Sequence, residues 1–354
     1  MTSGQAPLRV ALVSPTFGGY GGMEAFALGI LRGLAAHPEV KLTVFFKRVA
    51  SFELRPEFAA ACAPFGARVQ FIPRASGALW RAVGDAEVVH SFNPSPDTLL
   101  AAQLARCPVL VNVINHRTPG NSPRQRAWDV LLRRAAARRF YISDFVRRSW
   151  EGPAAWPDSE VVFPLCELAS GERPIEQRRG FVFAARWIEN KGLDTLVEAY
   201  AQAALDPARW PLCLIGDGPL RPRIERRLAE LGVRGVTALG FLSQSEKADA
   251  IRAARWMVVP PNTREDFGLT AIEARAVGVP CIITRDGGVP EAAGREALVC
   301  EPGDIPGLAA CLRAAAEMSD GEYATRARRT RDSLAQELRG PEFYAHAYRE
   351  LAER

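Results

Sequence analysis

The sequence predicts an α/β protein with two doubly wound parallel sheets, one after the other along the chain. Short, continuously apolar runs alternate with longer segments of helical periodicity, as in a parallel sheet that helices cover on both faces. This alternation stops near residue 164 and starts again near residue 181. The length of 354 residues also favours two domains, at roughly 150 residues each.

The first series contains six predicted strands. They are residues 8–14, 42–46, 68–72, 87–92, 108–114 and 138–143. The first strand leads into a glycine-rich turn and then a helix whose apolar residues recur at helical spacing from Met23 to Leu34. The longer connections have room for further helices, as at 126–137.

The second series repeats the pattern. Its strands are residues 181–186, 212–216, 236–241, 256–259 and 280–284, and its helices are 191–204, 219–231, 243–254 and 268–277. Residues 164–180 are rich in proline, glycine and charge, which is typical of a linker. A last helix, about 341–352, has no strand partner in this series. We therefore expect a first domain of residues 1–167, rejoined by a C-terminal helix at 336–354, and a second domain of residues 168–335.

The composition is that of an ordinary globular protein, with 48% hydrophobic and 24% charged residues. The seven cysteines are odd in number and scattered, which favours reduced thiols over a disulfide framework or a zinc ribbon. Four histidines without an H-E-x-x-H pair give no reason to expect a metal site. No signal peptide is recognised, and no apolar run approaches the roughly 18 residues of a membrane span. We expect a cytoplasmic protein.

The net charge of +5 is uneven, since residues 1–170 hold 19 Lys and Arg against 13 Asp and Glu. The excess is concentrated in Arg124, Arg126, Arg133, Arg134, Arg138, Arg139, Arg147 and Arg148. Such a face suits an anionic membrane or an acidic acceptor; the alternative is a solvated helix face. The segment lacks a regular aromatic stacking platform, so nucleic acid is not an expected partner.

The loop after the first strand, FGGYGGMEAF (17–26), lets backbone approach a ligand at Gly21 and Gly22. It lacks a G-x-G-x-x-G pattern, which disfavours a dinucleotide site; a tight strand-to-helix turn is the alternative. His90 and His116 each follow or end a strand, where a histidine can exchange protons. A lone histidine is nevertheless more often structural.

In the second series, Arg186 ends a strand and Lys191 opens the next helix, so each can pair with a diphosphate. The main chain around Phe241 and Leu242, after another strand, can hold the edge of a base.

Two carboxylates flank the start of the helix at 268–277. Glu265 lies in the loop at the carboxyl end of a strand, where ligands bind in open α/β sheets, and Glu273 lies within the helix. The amides of residues 268–270 form a site for phosphate at the positive end of the helix dipole. Glu273 is roughly 7.5 Å further along at about 1.5 Å per residue. The alternative is an ordinary helix start with Asp266 as the N-cap.

Together these segments resemble the retaining glycosyltransferases of family 4, which have the two-Rossmann GT-B fold with domains facing a central cleft. The resemblance covers nearly the whole chain and is strongest in ARWIENKGLDTLVEAY, LIGDGPL, LGFLS and EDFGLTAIEARAVGVPCIITRDGGVPE, where Glu265 and Glu273 form the E-x7-E signature.

The resemblance implies transfer from a UDP- or GDP-sugar bound mainly by the second domain. Arg186 and Lys191 would neutralise the diphosphate, Glu273 would take the ribose, and Glu265 would hold the transferred sugar. The remaining donor contacts would be Gly21 and Gly22 on the other wall of the cleft, Phe241 and Leu242 at the base, and the amides of Phe267, Gly268, Leu269 and Thr270. His116 matches a position near the reacting sugar.

The implied catalytic group is Glu265, His116, Arg186 and Lys191. Breaking the anomeric bond leaves negative charge on the β-phosphate, which fixed cations and helix amides can stabilise without a metal or other cofactor. Family membership implies same-face attack with retention, and no motif carboxylate is an obvious nucleophile.

The acceptor does not follow from the resemblance. The segment VVFPLCELA (161–169) departs from the family pattern, as does Arg117 after His116. The acceptor can therefore be a saccharide, a lipid-linked saccharide or a small hydroxylated molecule. Peripheral contact of the protein with the inner face of the membrane, through the arginines, is also left open. Two other functions are considered, a sugar-nucleotide 2-epimerase of the same fold and a non-catalytic module that binds a nucleotide sugar.

Overall fold

The computed structural model describes residues 6–49, 51–118, 120, 122–165, 171 and 173–354, and only the backbone of residues 124 and 125. The chain divides into two compact units. The first unit is Met1–Cys166 with Leu338–Arg354, and the second unit is Glu167–Glu337. Part of the predicted linker, residues 166–170 and 172, lies outside the described residues.

The first unit contains a seven-stranded parallel sheet. Its strands are β1 (Leu8–Thr16), β2 (Val40–Arg48), β3 (Val69–Pro73), β4 (Val88–Phe92), β5 (Val109–Val113), β6 (Arg138–Tyr141) and β7 (Ser159–Val161). They are ordered β3-β2-β1-β4-β5-β6-β7, so the order reverses between β1 and β4. Every residue of β4 and β5 is buried, as a continuously apolar central strand requires.

Helices connect these strands and cover the sheet. They are α1 (Gly22–Gly33), α2 (Pro56–Cys62), α3 (Gly77–Gly84), α4 (Pro96–Leu104), α5 (Pro123–Ala135) and α6 (Asp144–Glu151). No helix in the described part of the chain is both long and apolar enough to cross a membrane.

The second unit contains a six-stranded parallel sheet. Its strands are β8 (Arg179–Ala184), β9 (Leu212–Ile215), β10 (Val236–Gly240), β11 (Ala254–Val259), β12 (Cys281–Thr284) and β13 (Leu298–Cys300). Its helices are α7 (Leu193–Ala203), α8 (Arg221–Glu230), α9 (Gln244–Ala253), α10 (Leu269–Ala276), α11 (Val289–Ala293), α12 (Ile305–Glu317) and α13 (Asp320–Glu337). The order β10-β9-β8-β11-β12-β13 is that of a Rossmann sheet. The predicted α/β class with two doubly wound sheets is confirmed.

The last helix, α14 (Pro341–Ala352), packs within the first unit. Its Tyr348 hydroxyl lies 2.7 Å from His90 Nδ1, and His90 Nε2 lies 2.6 Å from Asn112 Oδ1. A Cβ on Gly33 of α1 would lie 2.5 Å from Pro341, so α1 and α14 are in close contact. These contacts fix the C-terminal helix over β4 and β5.

His90 has a structural role. It lies in the middle of β4 rather than at its end and is fully buried. Burial lowers the pKa of His90 to about 3, although the hydrogen bond with Asn112 raises it. The structure therefore agrees with the structural role that the sequence already favoured for His90, and not with proton exchange near neutral pH.

The arginine-rich segment does not form one exposed face. Arg139 is 3% exposed and donates to the carbonyl of Ala136 at 2.8 Å. Arg147 Nε lies 2.7 Å from Asp144 Oδ1, and Arg138 Nη1 lies 2.6 Å from Glu350 Oε2 in α14. The exposed arginines here are Arg126, Arg133, Arg134 and Arg148, and the Arg124 side chain lies outside the description. The predicted basic face is therefore smaller than the sequence indicates.

Candidate functional site

The order of the second sheet reverses between β8 and β11, and the loops after these two strands meet there. One loop carries Lys191 and the other carries Glu265. Lys191 Nζ lies 2.5 Å from Glu265 Oε2, and the two side chains are 21% and 17% exposed. This reversal is where open α/β sheets bind ligands. The structure therefore brings together two predicted site residues that are 74 positions apart.

The segment after β12 contacts and positions the loop that carries Glu265. Glu265 N donates to Asp286 Oδ2 at 2.7 Å, and Gly288 N donates to Glu265 O at 2.9 Å. Gly287 has a φ of +53°, and a Cβ there would lie 1.9 Å from Glu265 O. Asp286 and Gly287 were not predicted as site residues, although the run DGG before VPE is a visible signal. They position Glu265 through the backbone.

The turn of Lys191 is equally constrained. Gly192, which precedes α7, has a φ of +69°, and a Cβ there would lie 1.7 Å from Pro260 O. Asn262 N donates to Asn190 O at 3.1 Å, which joins the two loops. Arg186 follows β8 and is exposed, with no ion pair to any described residue. Its guanidinium is therefore accessible to an anion.

Helix α10 begins four residues after Glu265, the partner of Lys191. Its N-cap is Gly268 in the left-handed region (φ 96°, ψ 63°), so the alternative of Asp266 as N-cap is wrong. Ala271 N donates to Gly268 O at 2.9 Å. The amides of Gly268, Leu269 and Thr270 come before that bond, where a helix has no internal acceptor for them. They form the positive end of the helix dipole.

The carboxyl end of α10, unlike its start, is capped by a side chain. Arg178, 3% exposed, donates to Gly278 O at 2.6 Å and to Val277 O at 3.1 Å. A cation at the C-terminus of a helix complements its dipole. Phe267, just before α10, is 2% exposed and anchors the start of the helix in the core. Both ends of α10 are thereby fixed.

Glu273 lies one turn into α10 and has a partner that sequence reasoning missed. Lys247 Nζ on α9 lies 2.6 Å from Glu273 Oε1. Glu273 Oε2 is buried and accepts no hydrogen bond from any described residue. Nothing in the spacing of residues 247 and 273 indicates this contact. The two carboxylates of the E-x7-E segment are thus each paired with a different lysine.

Phe241 and Leu242 follow β10 at the same edge of the sheet. Phe241 is 65% exposed. Arg221 lies alongside, because its Nη2 would be 3.5 Å from a Cβ on Gly240. The Arg221 guanidinium also stacks over Trp187 at 5.0 Å. An open aromatic face and a cation therefore lie together at the carboxyl ends of β9 and β10.

In the first unit, Gly21 is the N-cap of α1 and Gly22 is its first residue. Glu24, only 7% exposed, accepts from Gly21 N at 3.2 Å and from Thr16 Oγ1 at 3.0 Å. The glycine-rich turn is therefore rigid. It leaves β1 where the order of the first sheet reverses. Glu24 was not predicted, although it is only two residues after Gly22.

His116 follows β5 and is half-buried, with its ring 5.7 Å from that of Phe145. The loop is pinned to α6, since Arg117 N donates to Ser149 Oγ at 2.9 Å and Trp150 Nε1 donates to Asn115 O at 2.9 Å. His116, Gly21 and Gly22 thus belong to the first unit, and the other predicted site residues belong to the second. No group of three or more potential metal ligands occurs among the described residues.

Part of the chain matches a known family of proteins. Residues 178–317 match the family model Glycosyl transferases group 1. The matched segment contains Arg186, Lys191, Lys247, Glu265 and Glu273. It corresponds to most of the second unit.

Curated relatives resemble the same part of the chain. N-acetyl-alpha-D-glucosaminyl L-malate synthase of Bacillus anthracis is 30% identical over 136 residues, which are 38% of this chain and 35% of the relative. Mannosylfructose-phosphate synthase of Agrobacterium fabrum is 31% identical over 163 residues, 42% of this chain and 35% of the relative. The matches thus span about a third of the length of these relatives.

Solved structures resemble the whole chain. Anabaena HepE in complex with UDP and glucose has a TM-score of 0.77 at 15% identity, over 98% of this chain and 100% of that one. A glycosyltransferase from Rickettsia africae has a TM-score of 0.78 at 15% identity, over 98% and 99%. At this identity the similarity establishes the fold, two Rossmann-like sheets of the GT-B type.

Proposed function

We propose that the protein is a glycosyltransferase that moves a sugar from a nucleotide diphosphate sugar to a hydroxyl acceptor. The observation that carries the proposal is the contact between Lys191 and Glu265 at the reversal of the second sheet, beside the open amides of α10. The match of residues 178–317 to glycosyl transferases group 1 supports it, as do the names of the curated relatives.

The donor occupies the edge of the second sheet in this proposal. The diphosphate lies at the start of α10, with Lys191 and Arg186 as its cations, and Glu265 holds hydroxyls of the transferred sugar. Glu273 accepts from the ribose, while Phe241 and Leu242 hold the base. The donor is a UDP- or GDP-sugar.

The chemistry follows from the charges at this edge. When the anomeric C–O bond breaks, the electron pair goes to the β-phosphate, and Lys191, Arg186 and the α10 amides stabilise that charge. The acceptor oxygen then bonds to the anomeric carbon on the same face, and its proton passes to the departing phosphate. Transfer therefore retains configuration and requires neither a metal nor another cofactor. The roles predicted for His116, Gly21 and Gly22 of the first unit stay predictions.

A screen of nucleotide sugars tests this function. Melting temperatures are measured with UDP-, GDP- and ADP-glucose and mannose in the presence of EDTA. Binding to the native state at 100 times Kd stabilises it by about 2.7 kcal/mol, so we expect a rise with UDP- or GDP-sugars, and release of nucleoside diphosphate when an acceptor mixture is added. No rise with any nucleotide sugar would contradict the proposal. Binding without turnover would favour the non-catalytic module, and epimerised sugar without acceptor would favour the epimerase.

We further propose that the acceptor is a saccharide, a lipid-linked saccharide or a small hydroxylated molecule, and that the protein works in the cytoplasm at the inner face of the membrane. The exposed cations for such contact are Arg126, Arg133 and Arg134. We expect sedimentation with vesicles containing phosphatidylserine to fall when all three are changed to glutamine, and to fall with salt. Arg148→Gln is the control, because Arg148 is already paired with Asp144. Equal sedimentation of the triple variant and wild type would rule out this surface.

A further inference from the structure

We propose that Lys247 positions Glu273 and thereby determines how strongly the protein distinguishes a ribose from a 2′-deoxyribose. The inference rests on the proposed function, in which Glu273 accepts hydrogen bonds from the ribose of the donor. Lys247 touches the carboxylate rather than the reacting atoms. It is therefore a positioning residue and not a catalytic one.

Lys247 is held at a defined place next to Glu273. It is the fourth residue of α9, and its Nζ lies 2.6 Å from Glu273 Oε1. The start of α9 is fixed by a capping box, in which Ser243 Oγ accepts from Glu246 N at 3.3 Å and Glu246 Oε2 accepts from Ser243 N at 2.9 Å. The residue before Lys247 is thus anchored, which limits the positions that the ammonium group can reach.

The pair is mostly withdrawn from water. Its side chains are 20% and 13% exposed, against 50% and 74% for the surface pair of Arg223 and Glu189. Water and salt screen a withdrawn pair less, so its attraction is stronger than that of an exposed pair. Without Lys247, the carboxylate of Glu273 would remain largely desolvated and uncompensated. The contact therefore has a marked effect on where that carboxylate points.

The ion pair also leaves acceptor capacity on Glu273. An ionised carboxylate has about four lone-pair sites, and the lysine occupies one of them on Oε1. Oε2 accepts no hydrogen bond from any described residue. The last torsion of a glutamate is broad, so without a directional partner the oxygens have no fixed orientation. Lys247 supplies that direction, and the lone-pair sites on Oε1 that the lysine does not use stay available to hydroxyl groups, whereas Oε2 is buried.

The distance along α10 matches a ribose. Glu273 is five residues beyond Gly268, which is about 7.5 Å at the rise of an α-helix. With the diphosphate at the first amides of α10, the next group of the nucleotide in that direction is the ribose. A carboxylate that is correctly oriented accepts from its hydroxyls, and one that has rotated away does not. Lys247 thus affects recognition of the hydroxyls more than binding of the diphosphate.

The test compares ribonucleotides with their 2′-deoxy forms. Dissociation constants are measured by calorimetry for UDP and dUDP, GDP and dGDP, and ADP and dADP, with wild type, Lys247→Met and Lys247→Arg. A hydrogen bond to a charged group makes the ribonucleotide bind about 10- to 100-fold tighter in wild type. We expect this ratio to fall toward unity in Lys247→Met and to be largely kept in Lys247→Arg. Lys41→Met, which removes an exposed lysine of the first unit, should leave it unchanged.

The ratio separates positioning from a general loss of structure, because a structural defect weakens both forms equally. An unchanged ratio in a folded Lys247→Met protein would overturn the proposal. Tighter binding of the ribonucleotides by Lys247→Met than by wild type would also overturn it. If that variant does not fold, Lys247→Gln replaces it with the same expectation. A wild type that binds nucleotides without preferring the ribose form refutes this inference and the contact between Glu273 and the ribose, but not transfer from a nucleotide sugar. A wild type that binds none of the six refutes the proposed function and the inference with it.

Discussion

Replacing Lys191 by alanine is expected to reduce the rate of sugar transfer by about 10²- to 10³-fold, the loss typical of one group that stabilises transition-state charge. Lys191 is placed beside the leaving diphosphate, and its removal also leaves Glu265 without its cation. That carboxylate, 17% exposed, would then repel the diphosphate. Initial rates of nucleoside diphosphate release at saturating donor measure the effect.

Arg234→Ala is the matched control for Lys191→Ala, because Arg234 is an exposed cation of the same unit. It should keep the wild-type rate within the error of the assay. Glu273→Ala should instead raise KM for the donor more than it lowers kcat, because it removes binding to the ribose rather than to the reacting atoms. Wild-type rates in both Lys191→Ala and Glu273→Ala would show that the donor site is wrongly assigned.

Gly287→Ala is expected to disrupt the site through the backbone. The added Cβ would lie 1.9 Å from Glu265 O, and the φ of +53° is itself unfavourable for alanine. Left-handed strain costs about 1–2 kcal/mol, and a forced backbone shift adds about 1–3 kcal/mol. We expect a lower free energy of unfolding in urea and loss of nucleotide binding, because the loop that carries Glu265 must move.

Gly303→Ala isolates the part of that effect that comes from strain alone. Gly303 lies in the same unit with a φ of +73°, but a Cβ there meets no atom within 4 Å. The free energy of unfolding of Gly303→Ala should be about 1–2 kcal/mol below that of wild type. Its affinity for the nucleotide should be unchanged. Equal affinity of Gly287→Ala and Gly303→Ala for the nucleotide would show that the contact with Glu265 does not hold the site.

Most strands of both sheets were predictable because each is a short apolar run, and the central strands β4 and β5 are buried throughout. The helix predicted at about 341–352 matches α14 (Pro341–Ala352), where a glycine and a proline mark the start. The strands β7 (Ser159–Val161) and β13 (Leu298–Cys300) were missed, since each has three residues and neither is fully buried. A local pattern detects a strand only where the apolar run is long enough, and the five-residue strand β10 was predicted although none of its residues is buried.

Features that depend on distant contacts could not be settled from the sequence. Whether His90 is accessible depends on Tyr348, which is 258 residues away. Which arginines are exposed depends on contacts such as that of Arg138 with Glu350, 212 residues apart. The pair of Lys247 and Glu273 leaves no mark in the spacing of the sequence.

Several residues of the candidate site were easier to predict, because their signals are local. A cation after a strand and a glycine before a helix are each visible within a few residues. Lys191 and Glu265 come together where the strand order of the second sheet reverses. The alternation of strands and helices in the sequence already indicates a doubly wound sheet with such a reversal. The supporting residues Asp286 and Gly287 act on the Glu265 backbone from another loop, so their role required the structure.

The most direct test of the donor site is a crystal structure of the protein with the nucleoside diphosphate that binds best in the screen. We predict phosphate oxygens at about 2.7–3.2 Å from Lys191 Nζ and from the amides of Leu269 and Thr270, with the ribose hydroxyls at Glu273. A diphosphate bound away from the start of α10, or a ribose without contact to Glu273, would contradict the account.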